Sequence, residues 1–312
     1  MSSRKSPWVL VLAAGEGSRV RTLTRDRWGR RAPKQFTSPD GDTTLLGATL
    51  RRAGKIAPPE QIVTVVAAQH EHWWKHELKG IPSDNIIVQP ENRGTAAGIL
   101  LPALWIAQHD RSATVVILPS DHYVESEETL NDSLSNAVSA VDRSEAPVVL
   151  LGVQPDSPEE EYGWIVPCPG PVNCPHHVES FREKPDACTA ASLWEHGGLL
   201  NTFIIVADTR CLLALFHKKV PQLWQPFERT IARSTEETWP KYDLANLYRL
   251  IPSLDFSRDV LEGAADELWV CPVPPCGWTD LGTPQRLGEH FVRREGHAAE
   301  GEAWAANTGG DR

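Results

Sequence analysis

The residues best suited to chemistry lie where apolar runs of strand length stop. Trp8-Val-Leu-Val-Leu-Ala-Ala14 passes directly into Gly15-Glu16-Gly17-Ser18-Arg19. Small residues there let backbone N–H groups approach phosphate oxygens, and Arg19 adds a fixed positive charge. Pro33-Lys34-Gln35-Phe36 follows in the same connection, which also carries Arg21, Arg25, Arg27, Arg30 and Arg31. A loop so charged can close over a triphosphate, although the arginines from 25 to 31 read equally as a solvated basic face. Further on, Val115-Val-Ile-Leu118 stops at Pro119-Ser120-Asp121-His122, and Gly277-Trp-Thr-Asp280-Leu-Gly-Thr283 follows an apolar run over 268–273. Each presents a carboxylate beyond a strand. Two carboxylates plus substrate phosphates suffice for Mg²⁺, which keeps few protein ligands. Taken singly, each Asp is more often a helix cap or turn former.

Other chemistries fit less well. The pattern G-x-x-x-x-G-K-[ST] is absent, Val20 stands where a dinucleotide fingerprint needs its third Gly, and Ala67-Ala68-Gln69-His70 offers no ribose-binding acid. A dehydrogenase is therefore disfavoured. The six Cys (168, 174, 188, 211, 271 and 276) contain no C-x-x-C pair, which points to reduced thiols rather than a redox motif or zinc ribbon. Cys168, Cys174, His176 and His177 form one Pro-rich group of potential zinc ligands, flagged on residue type alone.

Positioning these residues requires strands that end at one edge. Apolar runs over 8–14, 62–68, 85–89, 113–118, 147–152 and 200–206 predict strands. Helical periodicity predicts helices over 45–56, after a Thr43/Thr44 cap, and over 70–79, 95–109 and 127–141. The expected fold is α/β, a Rossmann-like, mostly parallel sheet with helices on both faces and ligands at the carboxyl ends of the strands. After Gly152 short segments at 162–166 and 178–181, a helix near 188–196 and a helical region from 209 to about 262 predict an α+β half. One domain over 1–294 is expected, with halves at about 1–152 and 153–294, followed by a frayed Gly/Ala/Glu-rich tail over 295–312.

The chain has 312 residues, with 31 Lys+Arg against 41 Asp+Glu and a net charge of −10, and is 41% hydrophobic and 23% charged. This is a globular composition, and the acidic balance disfavours coating of nucleic acid or an anionic membrane. No run of 18 apolar residues suits a membrane span, and the run after Arg4 and Lys5 is short for a secretion signal, so a cytoplasmic protein is expected.

Taken together, the motifs resemble the sugar-1-phosphate nucleotidyltransferase family, most closely its mannose-1-phosphate guanylyltransferase branch. The matching text is Ala13-Ala-Gly-Glu-Gly-Ser-Arg19, Pro33-Lys-Gln-Phe36, Gln89-Pro-Glu-Asn-Arg-Gly-Thr-Ala96, Leu118-Pro-Ser-Asp-His122, Glu161-Tyr-Gly-Trp-Ile165, Phe181-Arg-Glu-Lys-Pro185, Asn201-Thr202 and Gly277-Trp-Thr-Asp-Leu-Gly282. Asn201-Thr202-Phe203 stands where the family carries Asn-Ser-Gly. The resemblance implies that Ala14, Gly15, Gly17, Ser18 and Arg19 hold nucleotide phosphates, that Lys34 acts with Arg19 on the reacting α-phosphate, and that Gln89, Gly94 and Thr95 lie near the base. It further implies Mg²⁺ on Asp121 and Asp280, and a sugar phosphate at Lys184 with Gly163, Glu183 and Asn201 around the sugar. Small-molecule substrates, an NTP and a sugar-1-phosphate, are the implied partners, and a homodimer is compatible with them. The implied reaction joins GTP to mannose-1-phosphate. Alternatives are the same chemistry with glucose-1-phosphate and UTP or dTTP, and a silent sugar-nucleotide-binding regulatory subunit.

Overall fold

Branched apolar residues buried on both faces build the strands of the first half. The computed structural model describes residues 6–26, 28–39, 41, 43–170, 174–231 and 244–295. Arg4, Lys5, Arg27, the centre of the 168–177 segment and the tail beyond 295 lie outside the described residues. Among the described residues nine strands form a single sheet, β1 (Trp8–Ala13), β2 (Ile62–Ala67), β3 (Ile86–Gln89), β4 (Thr114–Pro119), β5 (Val148–Val153), β6 (Gly163–Pro167), β7 (His176–Glu183), β8 (Leu199–Asp208) and β9 (Trp269–Val273). Their order is β3-β2-β1-β4-β8-β5-β9-β7-β6. The helices are α1 (Leu45–Ile56), α2 (Glu71–Glu77), α3 (Gly94–His109), α4 (Glu127–Asp142), α5 (Ala187–Glu195), α6 (Thr209–Lys219), α7 (Pro221–Ile231), α8 (Leu244–Leu250) and α9 (Pro284–Glu295).

Parallel pairing, as expected, joins β3, β2, β1 and β4. Beyond them the sheet is mixed. β8 runs antiparallel to both β4 and β5, and β6 and β7 form an antiparallel pair, while β5 and β9 are parallel. The second half supplies these antiparallel strands, and β7 buries only Val178 and Phe181, on either side of a register shift against β6.

Period-two alternation in β1 divides the core. Val9, Val11 and Ala13 face one side with Leu46 and Ala53 of α1 and Leu130 and Leu134 of α4, whereas Leu10 faces the other with α3 and α6. Eleven consecutive residues of α3, Ala96 to Ile106, are buried, so that helix is apolar all round. Side-chain caps start the helices where expected, Thr44 accepting from the Gly47 N–H and Ser126 from the Thr129 N–H.

Two local features shape the edge where ligands would sit, and a third lies at the far ends of β6 and β7. The β5–β8 register slips between Leu150 and Gly152, where Thr202 donates to the Leu151 carbonyl at 2.7 Å and Phe203 takes φ 59° with its N–H on Asn201 Oδ1. This bulge re-aims Asn201. The flagged zinc group is instead a hairpin, with the Cys168 N–H donating to the His177 carbonyl at 2.8 Å and the His177 ring against Trp269. Among the described residues no group of three or more His, Cys, Asp or Glu side chains is arranged to hold a metal, and no helix is long and apolar enough to cross a membrane. Finally, α3 begins at Gly94, with φ 79°, pressed against the segment after α8. A Cβ there would stand 2.1 Å from the Leu254 carbonyl oxygen.

Gly94→Ala should therefore destabilise the fold by at least about 1–2 kcal/mol, the cost of a left-handed backbone for a residue with a side chain, before the clash is added. Near the end of α1, by contrast, a Cβ on Gly54 would meet no neighbour within 4 Å. Gly54→Ala should move stability the other way, by roughly 0.5–1 kcal/mol. Urea unfolding of the two variants checks both signs.

Candidate active site

A cavity of about 740 Å³ opens at the carboxyl ends of β1, β3 and β4 and continues against β6 and β8. Twelve of the residues singled out from sequence line it, namely Ala14, Gly15, Arg19, Gln89, Gly94, Thr95, Asp121, Gly163, Glu183, Lys184, Asn201 and Asp280. Lys34, Gly17 and Ser18 do not line it. Gly17, at φ 59°, lies behind the loop, where a Cβ would stand 3.0 Å from the Lys34 backbone nitrogen. Its bareness lets two loops stack. Gln35 ties the same loops by donating to the Ala13 and Gly15 carbonyls at 3.1 and 2.8 Å.

Asp121 and Asp280 come from loops after β4 and β9, and a short antiparallel bridge holds those loops together. The Tyr123 N–H donates to the Thr279 carbonyl at 2.9 Å and the Thr279 N–H returns the bond at 3.0 Å. The Ser120 hydroxyl pins the start of the first loop to the Leu12 carbonyl at 2.7 Å. Lys34, its side chain only 6% exposed, reaches both loops. Its Nζ lies 2.9 Å from Asp121 Oδ2 and donates to the Asp280 carbonyl.

This ammonium dominates the local electrostatics. Desolvation in the cleft would raise the Asp121 pKa, but Lys34 first, then His122, hold it below the usual carboxylate range. Desolvation acts on Asp280 in the same sense and is likewise outweighed by Lys34, His122 and Arg286, so that carboxyl too is held low. Burial pushes the His122 imidazole below its ordinary value despite the opposing pull of Asp121. The Trp278 indole N–H donates to His122 Nδ1 at 3.3 Å, so Nε2 carries the proton and faces Asp121 Oδ1 at 3.6 Å. Asp280 Oδ1 is saturated by the Tyr162 hydroxyl at 2.7 Å, the Gly282 N–H at 2.9 Å and Arg286 at 3.1 Å. Asp121 Oδ1 and Asp280 Oδ2 are the oxygens left to ligate. Two ionised carboxylates, each with one such oxygen, form a hard donor set that suits Mg²⁺.

Across the cavity, Glu183 and Lys184 pair at 2.8 Å, with Glu183 nearly buried and Lys184 at φ 49°. Burial raises the Glu183 pKa, and Lys184 offsets part of that rise. Gly163 makes room for this pair, since a Cβ there would stand 2.7 Å from Glu183 Oε2. Arg19 spans the mouth to Glu161 at 2.6 Å, both side chains being about half exposed. On the opposite wall, Gln89 is buried with its Nε2 donating to the Tyr248 hydroxyl at 2.7 Å. Thr95 faces the cavity but accepts the Phe256 N–H at 2.7 Å, and the Ala96 N–H donates to the Leu254 carbonyl.

Several lining or supporting residues escape sequence reasoning. Arg286 braces Asp280, donates to Glu159 at 2.8 Å and covers the Tyr162 ring at 4.2 Å. The segment 253–259 brings Asp255, Ser257, Arg258 and Asp259 to the cavity. In sequence it reads only as the end of a helical region. Tyr162 is the exception, since it sits beside Gly163 in one of the quoted motifs.

Comparison with known proteins gives the family. The nucleotidyl transferase family model matches residues 8–295. The chain is 26% identical to the alginate biosynthesis protein AlgA of Pseudomonas aeruginosa, an alignment covering 94% of this chain and 60% of that protein. It is 25% identical to a mannose-1-phosphate guanylyltransferase of Klebsiella pneumoniae, covering 96% of this chain and 63% of the relative. The chain thus spans about three fifths of the length of these curated relatives. Among solved structures, it superposes on a protein described as mannose-1-phosphate geranyltransferase from Thermus thermophilus with TM-score 0.77 and 29% identity, over 92% of this chain and 79% of that one. With a match that runs through both halves of the sheet and every wall of the cavity, the chain belongs to the nucleotidyl transferase family.

Proposed function

We propose that this protein transfers a guanylyl group from GTP to mannose-1-phosphate, with Mg²⁺ on Asp121 and Asp280, yielding GDP-mannose and pyrophosphate. The observation that carries this reading is the pair of ionised carboxylates held by Lys34 between a phosphate-type loop and the Glu183–Lys184 pair. The names of relatives similar along nearly all of this chain support the choice of mannose-1-phosphate and a guanylyl donor.

The chemistry asks little of a general base. A sugar-1-phosphate is already anionic at neutral pH, so one of its phosphate oxygens attacks the α-phosphorus of the NTP. The new P–O bond forms as the bond from the α-phosphorus to the bridging oxygen breaks, and pyrophosphate leaves with that electron pair. When bound, Mg²⁺ supplies charge neutralisation of the phosphates. The protein supplies alignment and further positive charge. Lys34, behind the carboxylates, keeps them ionised and adds positive potential at the α-phosphate. Arg19 can exchange Glu161 for nucleotide phosphate, because an ion pair this exposed is worth only about 0–1 kcal/mol. Lys184 takes the incoming sugar phosphate. The bulge at Thr202–Phe203 turns Asn201 toward the sugar, opposite Glu183.

Pyrophosphate release over four NTPs, each combined with mannose-1-phosphate or glucose-1-phosphate, tests the pairing. GTP with mannose-1-phosphate should show the highest kcat/KM; a higher value for UTP or dTTP would replace the substrates while retaining the mechanism, and no release from any pair would indicate a silent binding subunit. Asp121→Asn and Asp280→Asn should each lower kcat about 10²–10³-fold, the equivalent of several kcal/mol of lost charge stabilisation, with near-native thermal unfolding. Near-normal turnover in either variant would remove that residue from the metal assignment. Lys184→Ala should chiefly raise KM for the sugar-1-phosphate, whereas Lys34→Ala should chiefly lower kcat, a split that steady-state kinetics resolves.

A further inference from the structure

We infer that Tyr248, which does not itself line the cavity, is a positioning residue that sets nucleobase preference by anchoring the side-chain amide of Gln89. The inference rests on the nucleotidyl-transfer reading above and deepens its base-recognition side. Gln89 ends β3 at the cavity wall and is only 4% exposed, so its amide sits at a low-dielectric boundary where each polar contact counts. Its Nε2 donates to the Tyr248 hydroxyl at 2.7 Å. No other polar contact holds the Gln89 side chain among the described residues, so Oε1 is the end left for a ligand.

Tyr248 is suited to the role of anchor. It belongs to α8, is fully buried, and is packed into the same apolar core as α3, α6 and Phe256. Burial drives its phenol well above the ordinary tyrosine range, so it remains a neutral hydroxyl at any pH the protein would meet. An immobile neutral hydroxyl fixes the plane and reach of the amide it touches. Gly98 on α3 lies beside the same amide nitrogen, where a Cβ would stand at ordinary contact distance, 3.6 Å from Gln89 Nε2. The two amide ends have nearly the same shape but opposite hydrogen-bonding character, and with Nε2 held on the hydroxyl the oxygen is the end left for a ligand. A Gln89 free to turn presents either a donor or an acceptor, and accepts whichever base edge arrives. An anchored Gln89 presents its acceptor oxygen, which suits a base edge bearing N–H groups, as the Watson–Crick edge of guanine does.

Tyr248→Phe removes the hydroxyl and keeps the ring. The readout is the ratio of kcat/KM for the NTP that wild type uses best to that for each of the other three. That ratio should fall about fivefold or more, with the change carried by KM for NTP and with KM for the sugar-1-phosphate unchanged. In a Gln89→Met background the same Tyr248→Phe change should leave the ratio where Gln89→Met put it, because Tyr248 acts through Gln89. An unchanged ratio in the single variant, an equal loss for all four NTPs, or a further fall in the Gln89→Met background would each overturn the inference. A lowered thermal unfolding temperature with the ratio intact would assign Tyr248 to packing alone. Because the reference is the NTP that wild type prefers, a preference for UTP would refute the GTP reading without touching the role of Tyr248.

Discussion

Everything at this site depends on keeping two carboxylates ionised beside one another in a cleft that disfavours both charges. Asp280 raises the pKa of Asp121, and desolvation raises both, so nearby positive charge is what holds the pair low. Lys34 supplies that charge from a third loop, almost wholly buried, and touches the Asp121 carboxylate and the Asp280 backbone at once. The strands that carry the two acids are not neighbours. In the order β4-β8-β5-β9 three strand spacings separate them, about 14 Å, so the loops must cross the sheet edge to meet. The Tyr123–Thr279 bridge accomplishes that crossing with two backbone hydrogen bonds.

The remaining walls follow from which strands face one another. Parallel strands bring β1, β3 and β4 to a common carboxyl edge, and their loops form the side proposed for the nucleotide. The side proposed for the sugar is made differently, from antiparallel strands whose irregularities aim the side chains. Phe203 and Lys184 both adopt positive φ without being glycine, a cost of order 1–3 kcal/mol each that persists only where the surroundings impose it. One lies in the bulge that turns Asn201 and the other follows β7 beside Glu183.

The two sides are joined by contacts of unequal strength. The Arg19–Glu161 pair at the mouth is exposed and weak, and yields readily to a stronger anion. The junction of α3 with the segment after α8 is buried and made of backbone bonds, from the Ala96 N–H to Leu254 and from the Phe256 N–H to Thr95. One wall of the cavity is thus free to exchange partners while the wall opposite is fixed. Gly94 is what permits the fixed contact, because any side chain at its φ of 79° would strike the Leu254 carbonyl.

Local order was already legible in the chain. α1 spans the expected residues with Thr44 as its cap, and six apolar runs became strands with ends within a residue or two, because periodicity and capping are properties of a few consecutive side chains. Places at strand ends foretold that Asp121 and Asp280 would meet at one cavity, and the family resemblance added Glu183 and Asn201 to it. The antiparallel course of β8 was not legible, since burial on both faces makes a strand apolar whichever way it runs. Nor were the partners that decide what each site residue can do. Gly17 reads as a phosphate-loop glycine but serves to seat Lys34, Thr95 is committed to Phe256, and Arg286 reaches Glu159 from 127 positions away. Sequence determined the elements and the residues they present, because those depend on neighbours in the chain. Tertiary structure alone decided which loops cross, which charges meet and which hydrogen bonds are already taken, because those depend on neighbours in space.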